Sequence, residues 1–134
     1  MNIVIIGSGG REHALCFKLL KSSKINKIYC IPGNAGTDEI ATNIFADIND
    51  FDEIYKIVLK LNVELIVVGP EIPLVNGIVD YFEKKNIKIF GPNKKCSQLE
   101  GSKFFMKNIC KKYNIPSAKY FEISDINQIE KFLS

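Results

Sequence analysis

The chain has 134 residues, 46% apolar and 25% charged, a balance suited to one globular domain with or without part of a second. Its formal charge of +3 comes from lysines scattered among acidic residues, and it has no tryptophan. This argues against nucleic acid as a partner, and the lack of any apolar run of bilayer length argues against a membrane span.

Ile3, Val4, Ile5 and Ile6 form a continuous, mostly β-branched apolar run, the pattern of a strand buried on both faces. It starts almost at Met1, so no secretory leader is expected. Gly7-Ser8-Gly9-Gly10 follows, and Arg11 to Lys21 is helix-favouring. The glycines therefore fall where a strand feeds a helix, a place where the backbone can approach a ligand closely. A helix start suits a phosphate, and the chain's single arginine, Arg11, lies in this turn with its single histidine, His13.

Lys27 to Ile31 reads as a second strand, ended by Pro32-Gly33-Asn34-Ala35-Gly36. Phe51 to Leu61 has apolar residues at helical spacing, with Asn49 or Asp50 as its cap. Leu65 to Val68 is another buried strand, followed by a turn at Gly69-Pro70-Glu71-Ile72-Pro73-Leu74. Val75 to Lys85 returns to helical spacing, and Ile87 to Phe90 is a further strand closed by Gly91-Pro92-Asn93. Lys94 to Leu99 reads as a short helix, and Ser102 caps a helix from Lys103 to Tyr113. Ala118 to Ile123 reads as a strand, and Ser124 caps a last helix that reaches Ser134. The four cysteines, Cys16, Cys30, Cys96 and Cys110, are dispersed, with no CxxC spacing. They are expected as reduced, mostly buried thiols of a cytoplasmic protein, and a structural zinc site is not expected.

Alternating strands and helices predict an α/β fold, an open parallel sheet with helices on both faces. Residues 1–100 would form one domain and 101–134 the incomplete start of a second. Ligands of such sheets bind at the carboxyl ends of the strands. The turns at 7–13, 32–37 and 69–74 gather there.

The first turn matches the dinucleotide pattern GxGxxG at Gly7 and Gly9 but places Glu12 where the third glycine belongs. The second strand ends Cys30-Ile31-Pro32, without the acidic residue that ribose hydroxyls of NAD require. An NAD-binding oxidoreductase domain is thereby weakened, while phosphate or phosphosugar binding is not. Glu12 is also explained as an acidic residue in a first helical turn. Glu71, between two prolines, is either an acceptor for sugar hydroxyls or an amine, or a solvent-facing loop residue. His13 is either a proton carrier or phosphate donor, or an ordinary helix residue. A non-catalytic module that binds phosphorylated metabolites is a further alternative.

Taken together, four segments resemble the phosphoribosylamine–glycine ligase (glycinamide ribonucleotide synthetase) family. They are residues 7–15, 32–37, 67–74 and 99–103, and the similarity runs in unbroken order from residue 2 to about 122. The resemblance implies a Rossmann-like domain that precedes an ATP-grasp domain. It also implies ATP-dependent ligation of glycine to 5-phosphoribosylamine in purine biosynthesis, with Mg2+ or Mn2+, by an enzyme that is monomeric when complete. By the same resemblance Gly9, Gly10 and Arg11 would hold the 5-phosphate, Asn34, Gly36 and Thr37 would flank it, and Glu71 would bond the ribose hydroxyls. Lys103 would approach the nucleotide. No catalytic residue and no metal ligand is assigned, no cofactor is expected to bind this stretch alone, and the stretch alone is expected to be inactive.

Overall fold

The computed structural model describes residues 1–121, 123, 125, 126 and 129. The chain divides into two compact units, Met1–Ser97 and Gln98–Ser134.

The first unit is built on a five-stranded, wholly parallel sheet in the order β3-β2-β1-β4-β5. Its strands are β1 (Asn2–Gly7), β2 (Lys27–Pro32), β3 (Thr42–Asn43), β4 (Leu65–Val68) and β5 (Ile89–Phe90). The helices of this unit are α1 (Gly10–Leu19), α2 (Ala35–Asp38), α3 (Phe51–Lys60), α4 (Glu71–Asn76) and α5 (Ile78–Glu83), and α6 (Lys94–Gly101) crosses into the second unit. Side chains alternate across the sheet, as the two-residue period of a strand requires. Val4, Ile6, Tyr29, Ile31, Ile66 and Val68 pack on one face with Ile54 and Val58 of α3 and with Ile78, Val79 and Phe82 of α5. Ile3, Ile5, Ile28, Cys30 and Val67 pack on the other with Leu15, Cys16 and Leu19 of α1. The expected open parallel sheet with helices on both faces is therefore present. Asp50 is the cap of α3, its Oδ1 accepting from Glu53 N at 2.9 Å.

Several boundaries differ from expectation. Glu71 to Leu74, expected as part of the turn at 69–74, belong to helix α4, which runs on to Asn76. Its Pro73 is the third helical residue, where a backbone N–H has no intrahelical acceptor, so proline costs nothing there. The helix expected from Val75 to Lys85 is instead interrupted at Gly77, which closes α4 with φ +97° and opens α5. Gly77 N donates to the carbonyls of Pro73 and Leu74, both at 3.0 Å, in a left-handed cap that favours glycine. The two-residue β3 and the one-turn α2 are too short to leave a periodic signal. Cys16 and Cys30 are buried as expected, but Cys96 is exposed and Cys110 half-buried.

In the second unit α7 (Lys103–Lys112) is capped by Ser102, whose Oγ accepts from Phe105 N at 3.2 Å. Lys107 Nζ donates to Ser117 Oγ at 2.5 Å and to the Ala118 carbonyl at 2.8 Å. Residues 118–121, expected to begin a strand, carry none. The rest of that strand at residue 122, the Ser124 cap and most of the last expected helix lie outside the described residues. No helix among the described residues is long and apolar enough to cross a membrane.

Candidate functional site

The carboxyl ends of β1 and β4 lie side by side, with Ile6 opposite Val68. Here the strand order reverses: β1 runs on to α1 and β2 on one side, and β4 runs on to α4 and β5 on the other. Such a switch point opens a crevice between neighbouring turns.

On the β1 side, α1 begins after Gly9, which has no side chain and so gives the helix no N-cap acceptor. The opposite arm of a capping box is present. Glu12 Oε2 accepts from Gly9 N at 2.5 Å, closing the turn from inside the helix. Glu12 is only 2% exposed, and its Oε1 has no hydrogen-bond partner. The carboxylate fills the space between the two strand ends. A Cβ on Gly69 would sit on Oε1 and lie 2.6 Å from Cδ; one on Gly7 would lie 2.8 Å from the same Cδ. This explains the departure from GxGxxG. The third glycine of that pattern lets helix and strand approach, whereas here glycines on the strands make room for a helix side chain.

On the β4 side, Glu71 is the first residue of α4. Its Oε1 accepts from Arg11 Nη2 at 3.0 Å, an ion pair across the crevice with side chains 38% and 63% exposed. The two residues singled out for opposite ends of a phosphosugar are thus in direct contact.

The β2 turn is organised differently. Asn34 and Thr37 cap α2 reciprocally: Asn34 Oδ1 accepts from Thr37 N at 3.0 Å, and Thr37 Oγ1 accepts from Asn34 N at 2.7 Å. Asn34 Nδ2 donates to the carbonyls of Ser8 and Gly9 at 2.9 and 3.2 Å, tying this turn to the first. Thr37 is fully buried, and its hydroxyl donates to Asn43 Oδ1 at 2.7 Å. Gly36 admits the His13 ring, since a Cβ there would lie 2.9 Å from Cε1 and Nδ1. Asn34, Gly36 and Thr37 thus brace the first turn. Gly10 and Arg11 remain at its mouth, while Gly9 N is held by Glu12.

Beneath the turn, Cys16 of α1 and Cys30 of β2 have their sulfurs 3.1 Å apart. Burial pushes the Cys30 thiol up to about 12 and raises that of Cys16. Both are protonated packing residues, without the thiolate a nucleophile needs. Lys103 is an exposed first residue of α7, in the second unit. Among the described residues no three His, Cys, Asp or Glu side chains gather where a metal ion could be held. A shallow cavity of about 300 Å³ beside the first turn is lined by Ser8, Pro32, Phe45, Ala46, Asp47 and Ile48, with Phe45 96% exposed. Phe45 has no periodic context in the sequence, so nothing marked it out in advance.

The strand order, the glycine-started helix and the charged pair over the switch point define a doubly wound α/β domain of the kind that holds anionic ligands at its strand ends. The chain belongs to the family described as phosphoribosylglycinamide synthetase, N domain, whose pattern matches residues 1–100. It is 42% identical over 133 residues to the phosphoribosylamine–glycine ligase of Caldanaerobacter subterraneus subsp. tengcongensis, covering 99% of this chain and 32% of that protein. Against the same enzyme of Clostridium acetobutylicum it is 47% identical over 127 residues, 93% of this chain and 30% of that one. The crystal structure of phosphoribosylamine–glycine ligase from Thermotoga maritima superposes with a TM-score of 0.68 at 29% identity, over 99% of this chain and 30% of that one. The chain thus spans about a third of the length of the curated relatives it matches.

Proposed function

We propose that this chain is the phosphosugar-binding part of a phosphoribosylamine–glycine ligase. In the complete enzyme, a cytoplasmic monomer of purine biosynthesis, ATP activates glycine as an acyl phosphate. The amine of 5-phosphoribosylamine then attacks, giving glycinamide ribonucleotide, ADP and phosphate. Residues 1–100 supply the phosphosugar domain, and residues 101–134 begin the ATP-grasp unit.

The observation that carries the reading is the start of α1. A ten-residue helix with glycine at its N-cap meets the crevice beside the chain's one guanidinium. First-turn amides and an arginine fork are a recurrent combination for phosphate oxygens. Gly10 and Arg11 would contact the phosphate, and Glu71 the sugar hydroxyls. Gly9, Asn34, Gly36 and Thr37 would hold the turn in shape from behind. Lys103 is the candidate contact to ATP. The described residues do not form a donor set for the divalent metal.

Amide NMR during titration with ribose 5-phosphate tests the assignment. The expected result is saturable shifts at Gly10, Arg11, Glu12 and Glu71. Shifts confined to other strands' ends would overturn it.

A further inference from the structure

Arg11 and Glu71 stand 60 positions apart, and the parallel pairing of β1 with β4 brings them within 3.0 Å. A phosphate that recruits the Arg11 fork therefore does so in competition with a carboxylate. We propose that this ion pair selects the ligand's class: it favours a phosphate ester whose sugar carries hydrogen-bond donors over inorganic phosphate. The inference rests on the phosphosugar reading above.

The argument is one of exchange. Inorganic phosphate takes the guanidinium from Glu71 and places a concentrated negative charge beside the carboxylate. Its own hydroxyl is borne on phosphorus, within that same charge. A phosphorylated pentose separates the two functions. Its phosphate oxygens take the fork of Arg11, and its hydroxyls, set away on the ring, donate to Glu71. Both members of the pair then leave one charge-assisted contact for another. The pair is partly solvent-exposed, so it opposes binding only weakly and acts as a filter rather than a block.

Isothermal titration of the protein with inorganic phosphate and, separately, with ribose 5-phosphate tests this. Relative to the unmodified protein, Glu71→Gln is expected to bind inorganic phosphate about two- to fivefold more tightly, because the competing carboxylate is gone. It is expected to bind ribose 5-phosphate about tenfold more weakly, because the charged acceptor is gone. Glu71→Asp keeps the charge with a shorter reach; it should leave the inorganic phosphate affinity within about twofold and still weaken ribose 5-phosphate. Parallel changes in the two affinities, or none, in a protein that does bind ribose 5-phosphate would overturn the selectivity proposal alone. Failure of the unmodified protein to bind ribose 5-phosphate would overturn the phosphosugar reading and this inference with it.

Discussion

The two turns at the carboxyl ends of β1 and β2 have nearly the same construction and opposite outcomes. Each follows a buried parallel strand, contains glycine and opens a helix. At the β2 turn, Asn34 and Thr37 satisfy each other's backbone N–H groups, so the helix start is closed by the chain itself. At the β1 turn the N-cap is Gly9, and the only reciprocal arm is Glu12 reaching back from the third helical position. One turn spends its polar groups on its own stability, and the other keeps a helix start available beside an arginine. A glycine-rich turn is thus a candidate ligand site only where no neighbouring side chain has already capped the helix behind it.

Five experiments would break or sharpen that contrast. The largest effect is expected at Gly69, whose missing Cβ makes room for Glu12. Gly69→Ala should destabilise the protein by about 3 kcal/mol in urea denaturation, through overpacking. Most of that cost should vanish when Glu12→Ala is also present, since the two changes share one space. If the double variant shows simple additivity, Glu12 does not fill that space.

Next, Asn34→Ala opens the closed turn and unties it from Ser8 and Gly9, and should cost about 2 kcal/mol of stability. Gly9→Ser makes the converse change by giving α1 a hydroxyl cap. Its Cβ would lie 2.8 Å from Oε2 of Glu12, which is wedged between Gly7 and Gly69, so the gain of a cap should be outweighed and stability should fall by about 1–2 kcal/mol. Ribose 5-phosphate binding should also weaken about tenfold in calorimetry, because the serine oxygen now occupies a first-turn amide. Unchanged affinity would remove the helix start from the site.

The smallest effect concerns the buried thiols. Cys30 holds its proton more tightly folded than unfolded, its value rising from 9.0 to about 12. The stability this contributes is fully present below pH 9.0 and declines as pH rises from there toward 12. Urea midpoints measured from pH 8 to 11 should fall less steeply in Cys30→Ala. In the unmodified protein, a thiol alkylating reagent should label Cys96 first and leave Cys16 and Cys30 unreacted until unfolding.

Much of the fold was legible because the sheet's inner strands announce themselves. Ile3 to Ile6 and Leu65 to Val68 are apolar at every position, as burial on both faces demands. The Ser102 cap was equally plain, and the cap of α3 was narrowed to Asn49 or Asp50, of which the structure uses Asp50. What escaped was whatever depends on contact across the fold. Pro70 and Pro73 suggest a turn to any local reading, yet both are compatible with a helix start, and only the packing of Leu74 against the core reveals α4. The resemblance sets Thr37 beside the ligand, and no local signal shows that its hydroxyl is buried and bonded to Asn43. Glu12 held a clue that local reading could have used: its three-residue distance from Gly9 is capping-box spacing, as is that from Asn34 to Thr37. The contact between Arg11 and Glu71 has no local signature at all.

That last contact makes the crevice a gauge of strand register. Its two halves reach one another only because Ile6 faces Val68 across the central ladder. Sliding β4 by one residue would shift Glu71 by roughly 3.3 Å and exchange the side chains that the strand presents to the two buried faces of the sheet. The guanidinium and the carboxylate therefore meet in one alignment of the sheet, and their proximity reports, from the surface, that the middle of the molecule has been threaded correctly.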